Sequence, residues 1–171
     1  MTERQLTHNR ETNIKKYVTR ISKNFIVVKY INRKTMTENV KDIESLKRLV
    51  WNKGFKVDGY PEDIVRKDAC GALMVFEDYE DEGSIFGWRF DHIVPIVLLE
   101  KLDVPKDEFD NLRNLRPLNI ANVISKGDDY PYYTSAFVAD GTTNIERQSN
   151  KVVNAKIREE LKKLYNLPSD L

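Results

Sequence analysis

One cysteine and two histidines are all that 171 residues contain of the side chains best suited to soft metal chemistry. The lone Cys70 excludes an internal disulfide and a Cys-rich zinc knuckle, so no structural zinc is expected. No apolar run approaches the roughly 18 residues of a membrane span, and no membrane partner is expected. The polar start, MTERQLTHNRETN, lacks the apolar stretch of a signal peptide. The expected location is therefore intracellular, in host cytoplasm or nucleus, or in a particle assembled inside a cell. Internal repeats and low-complexity linkers are also absent, which favours one domain with decorations at its ends.

What the chain does have is charge, 32% of residues, with a net of only +1. That near-neutrality hides an asymmetry. Residues 1–34 hold nine Lys/Arg against Glu3 and Glu11, a net of +7. Lys15, Lys16 and Arg20 lead a spacing that suits sequence-independent phosphate neutralisation, and equally suits a solvated face. The opposite extreme is "EDYEDE", 77–82, an acidic turn that would repel nucleic acid.

Periodicity suggests an α+β protein. In 13–31 a helical spacing (Ile14, Tyr17, Val18, Ile21) runs into a strand-like "FIVVKYI". A clearer helix follows, capped by Thr37, with Val40, Ile43, Leu46, Leu49 and Val50 as its apolar stripe and Gly54 at its end. The apolar runs Ala72–Phe76 and Ile85–Ile93, separated by the acidic turn, read as a β-hairpin. Ile96, Val97, Leu98, Leu99 and Leu102 make a leucine-rich stretch, either extra core or a contact surface for a protein partner. A short helix ends at Lys126-Gly127, and "YPYYTSAF" packs back onto the domain. A last helix is expected over about 150–166, with Val153, Ile157, Leu161, Leu164 and Tyr165 on one face. The expected divisions are a basic segment over 1–36, a core over 37–148 and a C-terminal helix over 149–171 packed on that core.

Chemistry concentrates in "GWRFDHIVP", 87–95, where Asp91 and His92 stand side by side. Alone, such a pair is as well explained by internal hydrogen bonding as by catalysis. It does not stand alone: "RKDACGA" (66–72) precedes it, and "NLRPL" (114–118) and "SKGDDYP" (125–131) follow. This ordered set resembles the HNH endonuclease family. The resemblance implies a ββα-metal core with flanking N- and C-terminal helices, holding one Mg²⁺ or Mn²⁺. It further implies that His92 is the general base, Asp91 a metal ligand, and Asn114 the asparagine that pins the loop behind His92. These residue types suit phosphodiester hydrolysis, in which a neutral imidazole takes a proton from water and a hard cation neutralises the phosphate.

The departures bear on activity. The family's second ligand lies three residues before the lysine matched by Lys126, and that position is Val123, which cannot coordinate a hard cation. Asn122, one helical step of about 100° away, and Asn119, one turn back, are the substitutes on offer. Arg89 stands where related sequences often carry an acid. Arg113, Arg116 and Lys126 are candidate phosphate contacts.

Two functions follow. One is a metal-dependent endonuclease, attenuated by the missing ligand and acting on nucleic acid, with DNA the expected substrate. The other is a catalytically degenerate protein of the same fold that binds nucleic acid or protein, for example within a phage or viral assembly. A toxin or homing-type nuclease restrained by an acidic partner is a third class that no residue specifically favours.

Overall fold

The computed structural model describes residues 43–169, which lie within one unit of the chain, Ile43–Leu171. Thr37, Val40 and the basic residues Lys15, Lys16 and Arg20 fall outside the described residues. The helix α1 (43–51) fully buries Val50, the last residue of the expected stripe, and also Trp51, which that stripe did not include. Ile43 and Leu49, expected on the same stripe, are exposed.

Two short strands follow, β1 (Val65–Lys67) and β2 (Leu73–Val75), paired antiparallel with Arg66 opposite Met74. Asp68 builds the turn between them, its Oδ1 accepting from the amides of Cys70 and Ala72 at 2.8 Å each. Gly71 completes the turn at φ +92°, a conformation that L side chains rarely adopt. A 3-10 turn, Phe76–Asp78, leads through the acidic loop to β3 (Trp88–His92). Gly87 makes that entry possible, because a Cβ there would sit 2.0 Å from the Asp81 carbonyl oxygen.

The expected hairpin between 72–76 and 85–93 is not the one that forms. The two runs touch through the Val75 amide on the Phe86 carbonyl, and Tyr79 of the intervening turn makes a parallel bridge to Trp88. β2 spends its ladder on β1, and β3 pairs antiparallel with β4 (Leu115–Asn119). The partner of β3 therefore comes from beyond α2 (Ile96–Lys101) and two 3-10 turns, Lys106–Glu108 and Leu112–Asn114. A two-stranded ladder tolerates Pro117 because each strand keeps one unpaired edge.

β4 runs directly into α3 (Ile120–Lys126), capped by the Asn119 side chain on the Ala121 amide. β5 (Tyr132–Asp140) and β6 (Thr143–Val152) then form the longest hairpin among the described residues, with a register shift between Ser135 and Phe137. The final helix, α4 (Ala155–Tyr165), is capped by Asn154 on the Lys156 amide. It starts later than the periodicity implies, because residues up to Val152 are held in β6. The architecture is α+β, built from small antiparallel ladders and four helices among the described residues.

Two apolar clusters flank the β3–β4 ladder. Val50, Trp51, Met74, Phe76, Trp88 and Leu115 form the first, with Trp51 and Trp88 ring centroids 4.9 Å apart. The second gathers Ile93, Val94, Leu99, Leu118, Tyr133, Leu161 and Tyr165, so α4 packs on the same core as β4. The leucine-rich stretch largely joins this second cluster: Leu99 is fully buried and Ile96, Leu98 and Leu102 pack against it, leaving Val97 exposed. Among the described residues no helix is long and apolar enough to cross a membrane.

Candidate functional site

Successive residues of a strand face opposite sides of its ladder, and this separates the Asp91-His92 pair. Trp88, Phe90 and His92 share one face; Arg89 and Asp91 share the other. Asp91 points inward and is 4% exposed. Its Oδ2 accepts from Arg116 Nε at 2.7 Å, the residue directly across the ladder, and its Oδ1 lies 3.2 Å from Lys126 Nζ. Lys126 reaches this point because α3 follows β4 without a loop, so its last turn overhangs the end of β3. The ammonium also donates to the His92 carbonyl at 3.0 Å.

The result is a buried cluster of one carboxylate and two cations. Burial pulls the Lys126 ammonium below its ordinary value, with Asp91 opposing that shift. Burial also disfavours the Arg116 charge, but Asp91 and Tyr133 outweigh it and hold Arg116 above its ordinary value. Arg116 Nη1 donates to the Tyr133 hydroxyl at 3.3 Å, and that hydroxyl in turn lies 3.9 Å from Cys70 Sγ. Arg116 Nη2 is buried without a protein partner.

Arg116 and Lys126, the candidate phosphate contacts, both face inward. At 8% and 2% exposed they serve Asp91 instead of presenting to solvent. Arg113 is exposed, on the 3-10 turn before β4. Lys15, Lys16 and Arg20 lie outside the described residues. Arg89 faces the acidic turn, 2.9 Å from Glu82 and 4.0 Å from Glu80, so it offsets the charge of "EDYEDE".

His92 is half-buried, and its Nε2 lies 2.8 Å from Asp110 Oδ1. Asn114 sits behind it, fully buried, with Oδ1 accepting from the Val94 amide at 2.8 Å and Nδ2 donating to the Val94 carbonyl at 3.0 Å. Its own carbonyl accepts from the Ile93 amide at 2.8 Å. Three bonds thus fasten the chain after His92 to the start of β4. Lys53 steadies the same loop by donating to the Leu112 and Leu115 carbonyls.

Asn119 and Asn122, the substitute ligands, are spent on the frame. Asn119 caps α3 through Oδ1 and donates through Nδ2 to the Ile85 carbonyl at 2.9 Å. Asn122 Oδ1 accepts from the amides of Ala136 and Phe137, while Nδ2 donates to Asp68 and to the Phe137 carbonyl. Val123 packs against the second apolar cluster. Both Asp91 oxygens face internal cations, both asparagines are engaged elsewhere, and Val123 offers no donor. As arranged, these residues do not fit Mg²⁺ or Mn²⁺. No group of three or more His, Cys, Asp or Glu converges among the described residues.

Two residues of this region escaped the sequence reading. Asp68 is 1% exposed and joins the β1–β2 turn to α3, accepting from the Asn119 amide at 3.1 Å and Asn122 Nδ2 at 2.8 Å. Burial raises its carboxyl above the ordinary range, against the pull of the four hydrogen bonds it accepts. Its signal was its place in "RKDACGA". Asp110 had none, lying among the acids of a polar turn. No family model matches the chain, and no curated protein or solved structure is significantly similar to it.

Proposed function

We propose that the chain carries a ββα-metal-type unit related to HNH endonucleases, that metal-dependent cleavage has been lost from it, and that the protein acts by binding nucleic acid. The succession β3, Asn114 loop, β4, α3 supports the first part, since it has the strand–loop–strand–helix order that the resemblance implies. The observation that carries the loss is the Arg116–Asp91–Lys126 cluster, which neutralises with side chains the carboxylate that would otherwise hold a cation. The net +7 of residues 1–34 supports the nucleic-acid partner.

Incubation with supercoiled plasmid and Mg²⁺ or Mn²⁺ is the test. No nicking above background is expected, together with duplex binding that weakens steeply as salt rises. Efficient wild-type nicking that His92→Ala abolishes would overturn the loss of catalysis, and salt-independent binding, or none, would overturn the nucleic-acid reading. Val123→Asn alone is expected to restore nothing, because both oxygens of Asp91 remain held.

One observation favours the attenuated nuclease instead. His92 keeps partial exposure and a carboxylate partner, Asp110, which is the arrangement of a base and the group that orients it. On that reading slow nicking would depend on both His92 and Asp110.

A further inference from the structure

Positive-φ residues stand just past the Leu102 cap of α2, Asp103 at φ 54°, and at the cap of α4, Asn166 at φ 51°, and the chain turns after both. Between the two turns lies an open groove of about 500 Å³. Leu102, Val104 and Leu164 line it; they pack against the second apolar cluster yet stay partly exposed. Asp103 and Glu108, both exposed, stand at its rim. Tyr165 ties the two walls together, its hydroxyl donating to the Glu108 carbonyl at 3.0 Å, so the groove is preformed.

The charged residues that line the groove are both acidic, Asp103 and Glu108. Lys101, Lys106, Lys162 and Lys163 neighbour the lining in sequence, but among the described residues no Lys or Arg lines it. Burial, then the charges of Glu108 and Asp110, pushes the Tyr165 phenol up to about 12. An acidic rim repels phosphate, which excludes nucleic acid as the occupant and separates this surface from the binding proposed above. The groove's volume falls in the range that seats a few side chains.

The geometry points to this groove as a docking site for a short basic segment of a partner protein, with an aliphatic anchor seated on Leu102, Val104 and Leu164 and flanking Lys or Arg side chains meeting Asp103 and Glu108. Apolar area supplies the hold and the two carboxylates set the polarity of the peptide accepted.

The probe is acetyl-Lys-Arg-Leu-Lys-Arg-amide, added to the full chain and followed by amide NMR shifts and by anisotropy of a labelled copy. Shifts are expected at residues 102–108 and 164–168. Asp103→Asn with Glu108→Gln should weaken binding about fivefold, the scale of losing two exposed charge pairs, with melting unchanged. Asparagine suits position 103 because it tolerates the left-handed conformation. Replacing the peptide's leucine with alanine should weaken binding by a similar factor.

Three results would overturn the assignment. One is shifts centred on the acidic turn at 77–82, another is equal binding by the double variant or by the alanine peptide. The third is concentration-dependent shifts at the groove without peptide, which would make a second copy of the chain its occupant.

Discussion

The β3–β4 ladder has two buried sides built on different physics. On one side Trp88 packs between Trp51, Phe76 and Tyr79, with ring centroids 4.9 to 6.1 Å apart. Such a side is held by many small contacts and by apolar area, so losses there scale with the volume removed. On the other side Asp91, Arg116 and Lys126 are held by a few strong and mutually dependent interactions. Removing one member leaves the others charged and dry, whereas removing all of them together leaves little to regret. A polar cluster beside an aromatic one thus shows how two equally buried faces differ in what they tolerate.

The comparison breaks most visibly at Asp91. Asp91→Ala is expected to cost about 3–5 kcal/mol in urea denaturation, because it strands two buried cations. Trp88→Ala should cost a similar amount, about 3–5 kcal/mol, by opening a cavity. The two sides separate when repair is attempted. Asp91→Leu with Arg116→Met and Lys126→Met should return stability to within about 1–2 kcal/mol of wild type or above it, as apolar replacements of buried ion clusters do. A triple variant as unstable as Asp91→Ala would mean that the cluster specifies the fold, not merely fills it.

Alkaline pH sharpens the contrast at lower amplitude. Burial, then the charge of Asp68, pushes the Cys70 thiol up to about 12, and burial pushes the Tyr133 phenol up to about 12. Both groups keep their protons in the folded chain at pH values where the unfolded chain has begun to release them. Above the ordinary thiol value of 9.0 the folded state therefore binds more protons, and stability falls as pH rises from there towards about 12. Cys70→Ala should flatten the first part of that fall in thermal melts, while Trp88→Phe should leave its slope unchanged. An unchanged slope in Cys70→Ala would show that the thiol ionises freely in the folded state. The smallest effect belongs to Arg89→Ala, at about 0–1 kcal/mol by the same denaturation, since its partners Glu80 and Glu82 are exposed and screened.

Much of this molecule was legible before folding. The strand character of 88–92 and the helix closing at Lys126-Gly127 are local patterns that survive, whereas the stripe ending at Val50 survives only in part, since Ile43 and Leu49 are exposed. The β5–β6 hairpin has a local signal in the Asp140-Gly141 turn, although no strand is expected there from the aromatic run "YPYYTSAF". Strand pairing for β3 was not legible. Its partner lies across a long connection, and chain proximity favoured β2, whose ladder was already occupied by β1.

The candidate site divides in the same way. That Asp91, His92, Asn114 and Lys126 belong together was visible in their order along the chain. Which of them face one another was not. Alternation along a strand already separates Asp91 from His92, but only the packing sends Asp91 inward to Arg116 and His92 towards Asp110.

By itself, then, the sequence determined the α+β class, the strand at 88–92 and the helices ending near Val50, Lys126 and Tyr165, because periodicity, capping and turn chemistry act within a few residues. Tertiary structure alone decided that Arg116 and Lys126 neutralise Asp91 and that Asn119 and Asn122 serve the frame. A buried carboxylate must be paired with whatever cation the surrounding elements deliver, and that delivery depends on strand pairing and on where α3 begins.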